Sequence, residues 1–161
     1  MVRIVQINLG RRSAAAGCLN DLINLYNYEI ALIQEPYTFK RVIGKLSKNG
    51  TVYENSSINE NPRACVWINQ DLNKCSEAIQ LLEYSDKDCV AVKIKISEIE
   101  GKREIIICSA YFPGINESGR NVISENLNNL IDYCKSNHTE LIVGCDANAH
   151  NIIWGSKNEC P

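Results

Sequence analysis

No stretch of this chain is apolar for long enough to cross a bilayer: runs such as Ile105–Cys108 and Leu141–Val143 are strand-sized, against the roughly 20 residues a spanning helix needs. No basic segment followed by a long apolar one opens the sequence, so a nuclear or cytoplasmic protein is expected, neither secreted nor bound to a membrane. No Cys-x-x-Cys pair occurs among the eight cysteines, which stand singly at 18, 65, 75, 89, 108, 134, 145 and 160, and this argues against zinc and against a disulfide framework. Cys65, Cys89, Cys108 and Cys134 fall inside apolar patterns, where a reduced thiol packs as a small hydrophobe. Basic charge is not in excess: 17 Lys and Arg against 19 Asp and Glu leave −2. The overall basicity usual in a duplex-DNA binder is missing, leaving Arg11, Arg12, Lys40 and Arg41 as a local cluster. There is no collagen period, internal repeat or low-complexity tract, and 161 residues at 45% hydrophobic describe one globular domain over 1–161.

What is present alternates between strand and helix periods. Val2–Asn8 is a short β-branched run. The segment after LGRRS places Ala15, Leu19, Leu22, Ile23 and Tyr26 at helical spacing, with Ser13 as the expected N-cap. Glu29–Glu35 reads as a buried strand stopped by Pro36, which lacks the N–H a central strand needs. A polar stretch from Lys40 to Pro62 holds a short strand at Thr51–Glu54, and Arg63–Asn69 resumes apolar alternation. Gln80–Tyr84, then Val90, Val92, Ile94 and Ile96 on one face of a strand with the other face wet, then the run after Glu100-Gly101, read as adjacent antiparallel strands. Ile123, Leu127, Leu130, Ile131 and Cys134 share one side of a second helix over Val122–Lys135, and Glu140–Cys145 reads as another buried strand. This order predicts mixed sheets with helices packed outside them. Nothing after Cys145 reads as an element able to cover the sheet its strand joins, and a missing C-terminal portion is the expected reason.

Functional groups in open sheets gather where strand ends meet loops. Asn8 closes the first strand, Gln34 and Glu35 the second, Ser109 and Tyr111 the long middle one, and Asp146, Asn148 and His150 the last. Carboxylate and amide oxygens converging there suit a hard cation such as Mg²⁺, and phosphodiester hydrolysis is the natural chemistry.

The strings QINLG, LIQEP, CSAYFPG and GCDANAHNIIWGS, in that order and covering Asn8 to Ser156, resemble the endonuclease/exonuclease/phosphatase family. More narrowly they resemble the apurinic-type endonuclease domain of jockey-like non-long-terminal-repeat retrotransposons. The resemblance implies an α/β (α+β) fold, a four-layer α-β-β-α sandwich of two mixed, mostly antiparallel sheets, of which this chain is the N-terminal two thirds, incomplete at the C-terminus. It implies a nuclease dependent on Mg²⁺ or Mn²⁺ that nicks target DNA and leaves a 3′-hydroxyl. The partners would be DNA and a downstream reverse transcriptase domain of the same polyprotein. By the same resemblance Glu35 and Asn8 bind the metal, with Asn8 also facing phosphate, and Asp146 orients or deprotonates the attacking water. Asn148 fixes the scissile phosphate, Tyr111 donates to a phosphate oxygen, and His150 stands beside the site. Arg11 and Trp154 are candidate DNA contacts.

One departure stands out. Family members end with a Ser-Asp-His motif, and the 161 residues contain none; their histidines are His138, expected in an exposed loop, and His150. Impaired nuclease activity is therefore expected of this chain. Two other functions remain open: a phosphatase of the same fold, against which the Asp-Ala-Asn-Ala-His and Trp-Gly-Ser strings argue, and a non-catalytic remnant that binds nucleic acid or a partner. The individual residues also have plainer readings. Glu35 suits a solvated strand-end charge, Asp146 and Asn148 a local Asx turn, Tyr111 and Trp154 packing aromatics, and Arg11 ordinary surface.

Overall fold

β1 (Ile4–Asn8), α1 (Ser13–Tyr26) and β2 (Ile30–Gln34) form a β-α-β unit in a computed structural model of the chain, which describes residues 2–46, 48–56, 60–98, 101–114 and 123–148. The two strands are parallel, with Asn8 beside Gln34 at their carboxyl ends. A small hairpin of β3 (Thr38–Phe39) and β4 (Val42–Ile43) follows, then β5 (Gly50–Tyr53) and β6 (Ala64–Asn69). The sheet order is β1-β2-β6-β5, with β6 antiparallel to both β2 and β5.

A second sheet carries the rest. After α2 (Gln70–Cys75) come β7 (Ser76–Gln80), a 3-10 turn at Leu82–Tyr84, β8 (Cys89–Glu98), β9 (Gly101–Tyr111), α3 (Glu125–Asn137) and β10 (Glu140–Asp146). Their order is β10-β9-β8-β7, antiparallel except for the parallel pair of β9 and β10.

Side-chain alternation turns these sheets into layers. Ile30, Leu32, Ala64, Val66 and Ile68 of the first sheet meet Val90, Val92, Ile94 and Ile107 of the second in the central core. Ala31, Ile33, Cys65 and Trp67 point the other way, onto Ala16, Leu19 and Ile23 of α1. Cys89, Ala91, Ile106, Cys108 and Ala110 receive Leu127, Leu130 and Cys134 of α3. The result is the expected α-β-β-α sandwich of two mixed sheets. Full burial of each Leu or Ile in it stabilises by about 1.5–3 kcal/mol.

Several local expectations give way. Ser13 is not the N-cap: Arg12 is, in extended conformation and without a side-chain cap, while the Ser13 hydroxyl accepts from Lys45 Nζ at 2.5 Å. Tyr26 is exposed, and Ile123 precedes the Ser124 cap of α3 and is exposed too. The strand expected at Gln80–Tyr84 lies earlier, because Leu81 N–H bonds Ala91 O and the chain then tightens into the 3-10 turn. β8 is not wet on its second face at its start: Cys89 and Ala91 are small enough to be covered by α3, and Lys93 and Lys95 further along that face are partly exposed. β10 is not a buried strand. It is an edge, and among the described residues nothing pairs with its outer side, so Ile142 and Val143 are 38% and 37% exposed.

Candidate active site

Four strands deliver polar groups to one end of the sandwich. Asn8 closes β1 and sits between two carboxylates, its Nδ2 donating to Asp146 Oδ2 at 2.5 Å and reaching Glu35 Oε2 at 3.3 Å. Its Oδ1 accepts from Gly10 N–H at 2.7 Å, which fixes the amide's direction. One amide thus ties the carboxylate after β2 to the carboxylate ending β10, across the two sheets.

Glu35 is aimed there by an unusual backbone. Its φ of 46° is left-handed, although the following Pro36 disfavours helical conformations. Two main-chain bonds hold it: Glu35 N–H to Arg63 O at 2.8 Å, and Arg11 N–H to Glu35 O at 2.9 Å. Arg11, itself at φ 57°, brings its Nε within 3.6 Å of Glu35 Oε1. Non-glycine residues in such regions persist only where the surroundings over-determine them, and they concentrate at functional sites.

Asp146 divides its two oxygens. Oδ2 meets Asn8, while Oδ1 accepts from Asn148 N–H at 3.2 Å, the i to i+2 pattern of an Asx turn. The plain turn and the site contact are therefore both present. Asn148, at φ 44°, donates from Nδ2 to Phe112 O at 2.6 Å, so its amide is tied to the end of β9.

Beneath these groups lies a buried polar lock. Gln34 Nε2 donates to Ser109 Oγ and to Gly144 O, each at 3.0 Å, its Oε1 accepts from Gln6 Nε2, and Ser109 Oγ donates to Ile33 O at 2.9 Å. Gln34 and Ser109 are fully buried. In a low-dielectric interior an unpaired amide costs roughly 1–3 kcal/mol, so this network holds the sheets in one relative position. Gly144 makes the approach possible: a Cβ there would lie 2.8 Å from Leu32 Cδ1 and 2.9 Å from Gln6 Cγ.

Tyr111 is held by residues that sequence reasoning passed over. Arg63 stacks its guanidinium 5.0 Å from the Tyr111 ring centre and forms a forked ion pair with Asp88, whose main-chain oxygen accepts from Tyr111 N–H at 2.7 Å. The hydrogen bond to Asp88 raises the Arg63 pKa, and this outweighs the opposing effect of burial. Arg63 directly precedes β6 and Asp88 directly precedes β8, and the facing of the two sheets brings them together, with Arg63 N–H bonding Lys87 O at 2.7 Å; no local motif announces the pair.

Arg11, Glu35, Asn8 and Asp146 thus form one chain of contacts in that order, with Tyr111 and Asn148 on the adjoining strand ends. His150 and Trp154 lie outside the described residues. His138 is exposed, as expected, and caps α3 in left-handed conformation. Among the described residues no group of three or more His, Cys, Asp or Glu is placed so that it could hold a metal ion. The Asn8 amide brings two carboxylates together, Glu35 and Asp146, a set that fits a cation such as Mg²⁺, commonly held by one or two carboxylates with water and substrate phosphate completing its shell. Asn8 as oriented turns its nitrogen to the carboxylates and its oxygen to Gly10.

The sequence model of a family described as Endonuclease-reverse transcriptase matches residues 105–160, which include Tyr111, Asp146 and Asn148. Among solved structures, the endonuclease domain of TRAS1, a telomere-specific non-LTR retrotransposon, superposes with a TM-score of 0.71 at 26% identity, covering 99% of this chain and 64% of that one. TDP2 of D. rerio, solved with a single-stranded DNA product, gives 0.54 at 11% identity over 99% of this chain and 66% of that one. The human Nocturnin catalytic domain gives 0.53 at 20% identity over 92% and 64%. No curated protein matches. The chain has the fold of these catalytic domains and spans about two thirds of the TRAS1 domain's length. No helix among the described residues is long and apolar enough to cross a membrane.

Proposed function

We propose that the chain is the endonuclease part of a retrotransposon polyprotein, hydrolysing a phosphodiester of target DNA and leaving a 3′-hydroxyl that primes a linked reverse transcriptase. The observation that carries this reading is the Asn8 amide joining Glu35 and Asp146 across two sheets, in a fold shared with a retrotransposon endonuclease. Glu35, with Asp146 near it, would hold Mg²⁺ or Mn²⁺, which supplies charge neutralisation at a phosphate oxygen. Asn8 orients both carboxylates, and offers oxygen to a cation only on turning from Gly10. Asp146 accepts a proton from the attacking water or orients it. The Tyr111 phenol, its ring fixed by Arg63, donates to a phosphate oxygen, and the Asn148 amide has a second N–H for the same purpose. Arg11, His150 and Trp154 complete the DNA contacts in this reading.

Without a Ser-Asp-His string these 161 residues are expected to turn over slowly. The test is therefore nicking of supercoiled plasmid, in which one cut per molecule changes the topology. Nicking that needs Mg²⁺ and falls at least 100-fold in Glu35→Ala supports the reading, a loss of the size that removal of one electrostatic contact to the transition state produces. Nicking that is absent, or indifferent to Glu35, contradicts it and favours a non-catalytic binding role.

A further inference from the structure

Next to Glu35 the chain projects a hairpin with an apolar face and a basic tip. Phe39 and Val42 pair directly across β3 and β4 and are 64% and 69% exposed. Their neighbours Thr38 and Ile43 occupy the other face, where Ile43 packs with the core under α1. The tip is Lys40-Arg41, both exposed and both left-handed, with φ of 51° and 68°. Such a two-residue turn normally takes Asn-Gly, because L-residues there cost about 1–2 kcal/mol each. This hairpin accepts that cost and places two cations at its end, with Lys40 Nζ 5.6 Å above the Phe39 ring. Its base is anchored: Gly44 N–H bonds Tyr37 O at 2.9 Å, and Lys45 bonds Ser13 at the start of α1, next to the Arg11 that contacts Glu35.

We propose that the hairpin 37–44 enters the major groove of duplex DNA beside the phosphate at Glu35, with Lys40 and Arg41 on backbone phosphates and the Phe39–Val42 face on thymine methyl groups. This deepens the nuclease reading and rests on it. Lys40 lies five residues after Glu35, a reach of at most about 17 Å, or about five base pairs at 3.4 Å each. A two-stranded ribbon fits the major groove, about 12 Å wide, and not the minor groove of about 6 Å. Apolar side chains read the thymine methyl there, while phosphate contacts carry no sequence information. The cations supply the charge complementarity that a chain of net charge −2 lacks overall.

The test measures affinity of the 161-residue chain for a labelled 20-base-pair duplex in EDTA, across a salt series, with thymine or uracil in both strands. Lys40→Ala/Arg41→Ala is expected to weaken binding to every sequence and lower the salt slope by about 2. Phe39→Ala/Val42→Ala is expected to keep the slope and abolish a preference for thymine of about fourfold per contacted methyl. All four side chains are exposed, and circular dichroism verifies that the variants keep the fold. A slope unchanged in the first variant, no thymine preference in the parent chain, or a preference surviving in the second variant overturns the proposal. Since binding is read without cleavage, plasmid nicking that needs Glu35 alongside an indifferent hairpin defeats this inference alone. Hairpin-dependent binding without nicking defeats the nuclease reading instead.

Discussion

β2 and β10 each run parallel to a neighbour and each lead to a carboxylate of the candidate site, yet they are held in opposite ways. β2 is central, and all five of its residues are buried, Ile30 and Leu32 toward the second sheet and Ala31 and Ile33 toward α1. β10 is an edge with only Gly144 buried. Apolar packing on two faces places β2, and the main-chain bonds to Arg63 and Arg11 then aim the Glu35 that follows it. Asp146 instead relies on directional bonds to the other sheet, through Gly144 O to Gln34 and through its own Oδ2 to Asn8. The difference is one of physical kind: burial is non-directional and sets where a strand lies, whereas hydrogen bonds set where a functional oxygen points.

The largest effect expected from this contrast is on stability. Leu32→Ala removes a side chain closed in on every side and should cost about 2–5 kcal/mol, whereas Ile142→Ala on the exposed edge should cost below about 1 kcal/mol. Denaturant unfolding compares them, and equal losses would erase the distinction between the strands. Gly144→Ala comes next, at about 1–3 kcal/mol, because the new Cβ overlaps Leu32 and Gln6. That variant should also slow nicking, since Asp146 lies two residues further on.

Thiol chemistry sharpens the same comparison. Burial raises the Cys65 pKa far above its ordinary value, and Cys108 follows through its bond to Cys89 and through burial. Unfolded thiols titrate near 8.5, so above that pH the unfolded chain has released protons that the folded chain keeps. Stability therefore falls as pH rises, by about 1.4 kcal/mol per pH unit for each such thiol. Cys65→Ala should flatten the alkaline slope relative to its own value at pH 7. Cys145 on β10 is exposed and should react with a thiol reagent in the native protein, while Cys65 should react only on unfolding. The smallest effect belongs to the pair of Arg103 with Glu140, where β10 begins. Both side chains are more than half exposed, and a double-mutant cycle of Arg103→Ala with Glu140→Ala should give a coupling of about 0.2–1 kcal/mol.

The same contrast explains what could be read from the sequence. Glu29–Glu35 declared β2 because burial on both faces demands a continuous apolar run, and Leu127, Leu130 and Cys134 declared α3 by their spacing. β10 carried the same apolar signature and was misread as buried, since composition reports what a strand can cover and not what lies beside it. The β3–β4 hairpin was missed because its turn is Lys-Arg, with no Gly or Asn to mark it. The helix Gln70–Cys75 was missed despite a legible cap, Asn69 Oδ1 accepting from Asp71 N–H. At the site, Asn8, Glu35 and Asp146 were legible as strand-end polar residues within recognisable strings. Gln34 looked like one more of them, yet it is the buried lock under the site, and Arg63 with Asp88 became visible only once the two sheets were seen to face each other.

The central claim is that Glu35 and Asp146 act as one unit across the sheets. Plasmid nicking rates in Mg²⁺ for the parent chain, Glu35→Ala, Asp146→Ala and the double variant test it directly. Groups that work together lose nearly all their effect at the first deletion, so the account predicts a double variant no slower than either single one. Losses that multiply, each carboxylate contributing independently, would contradict it.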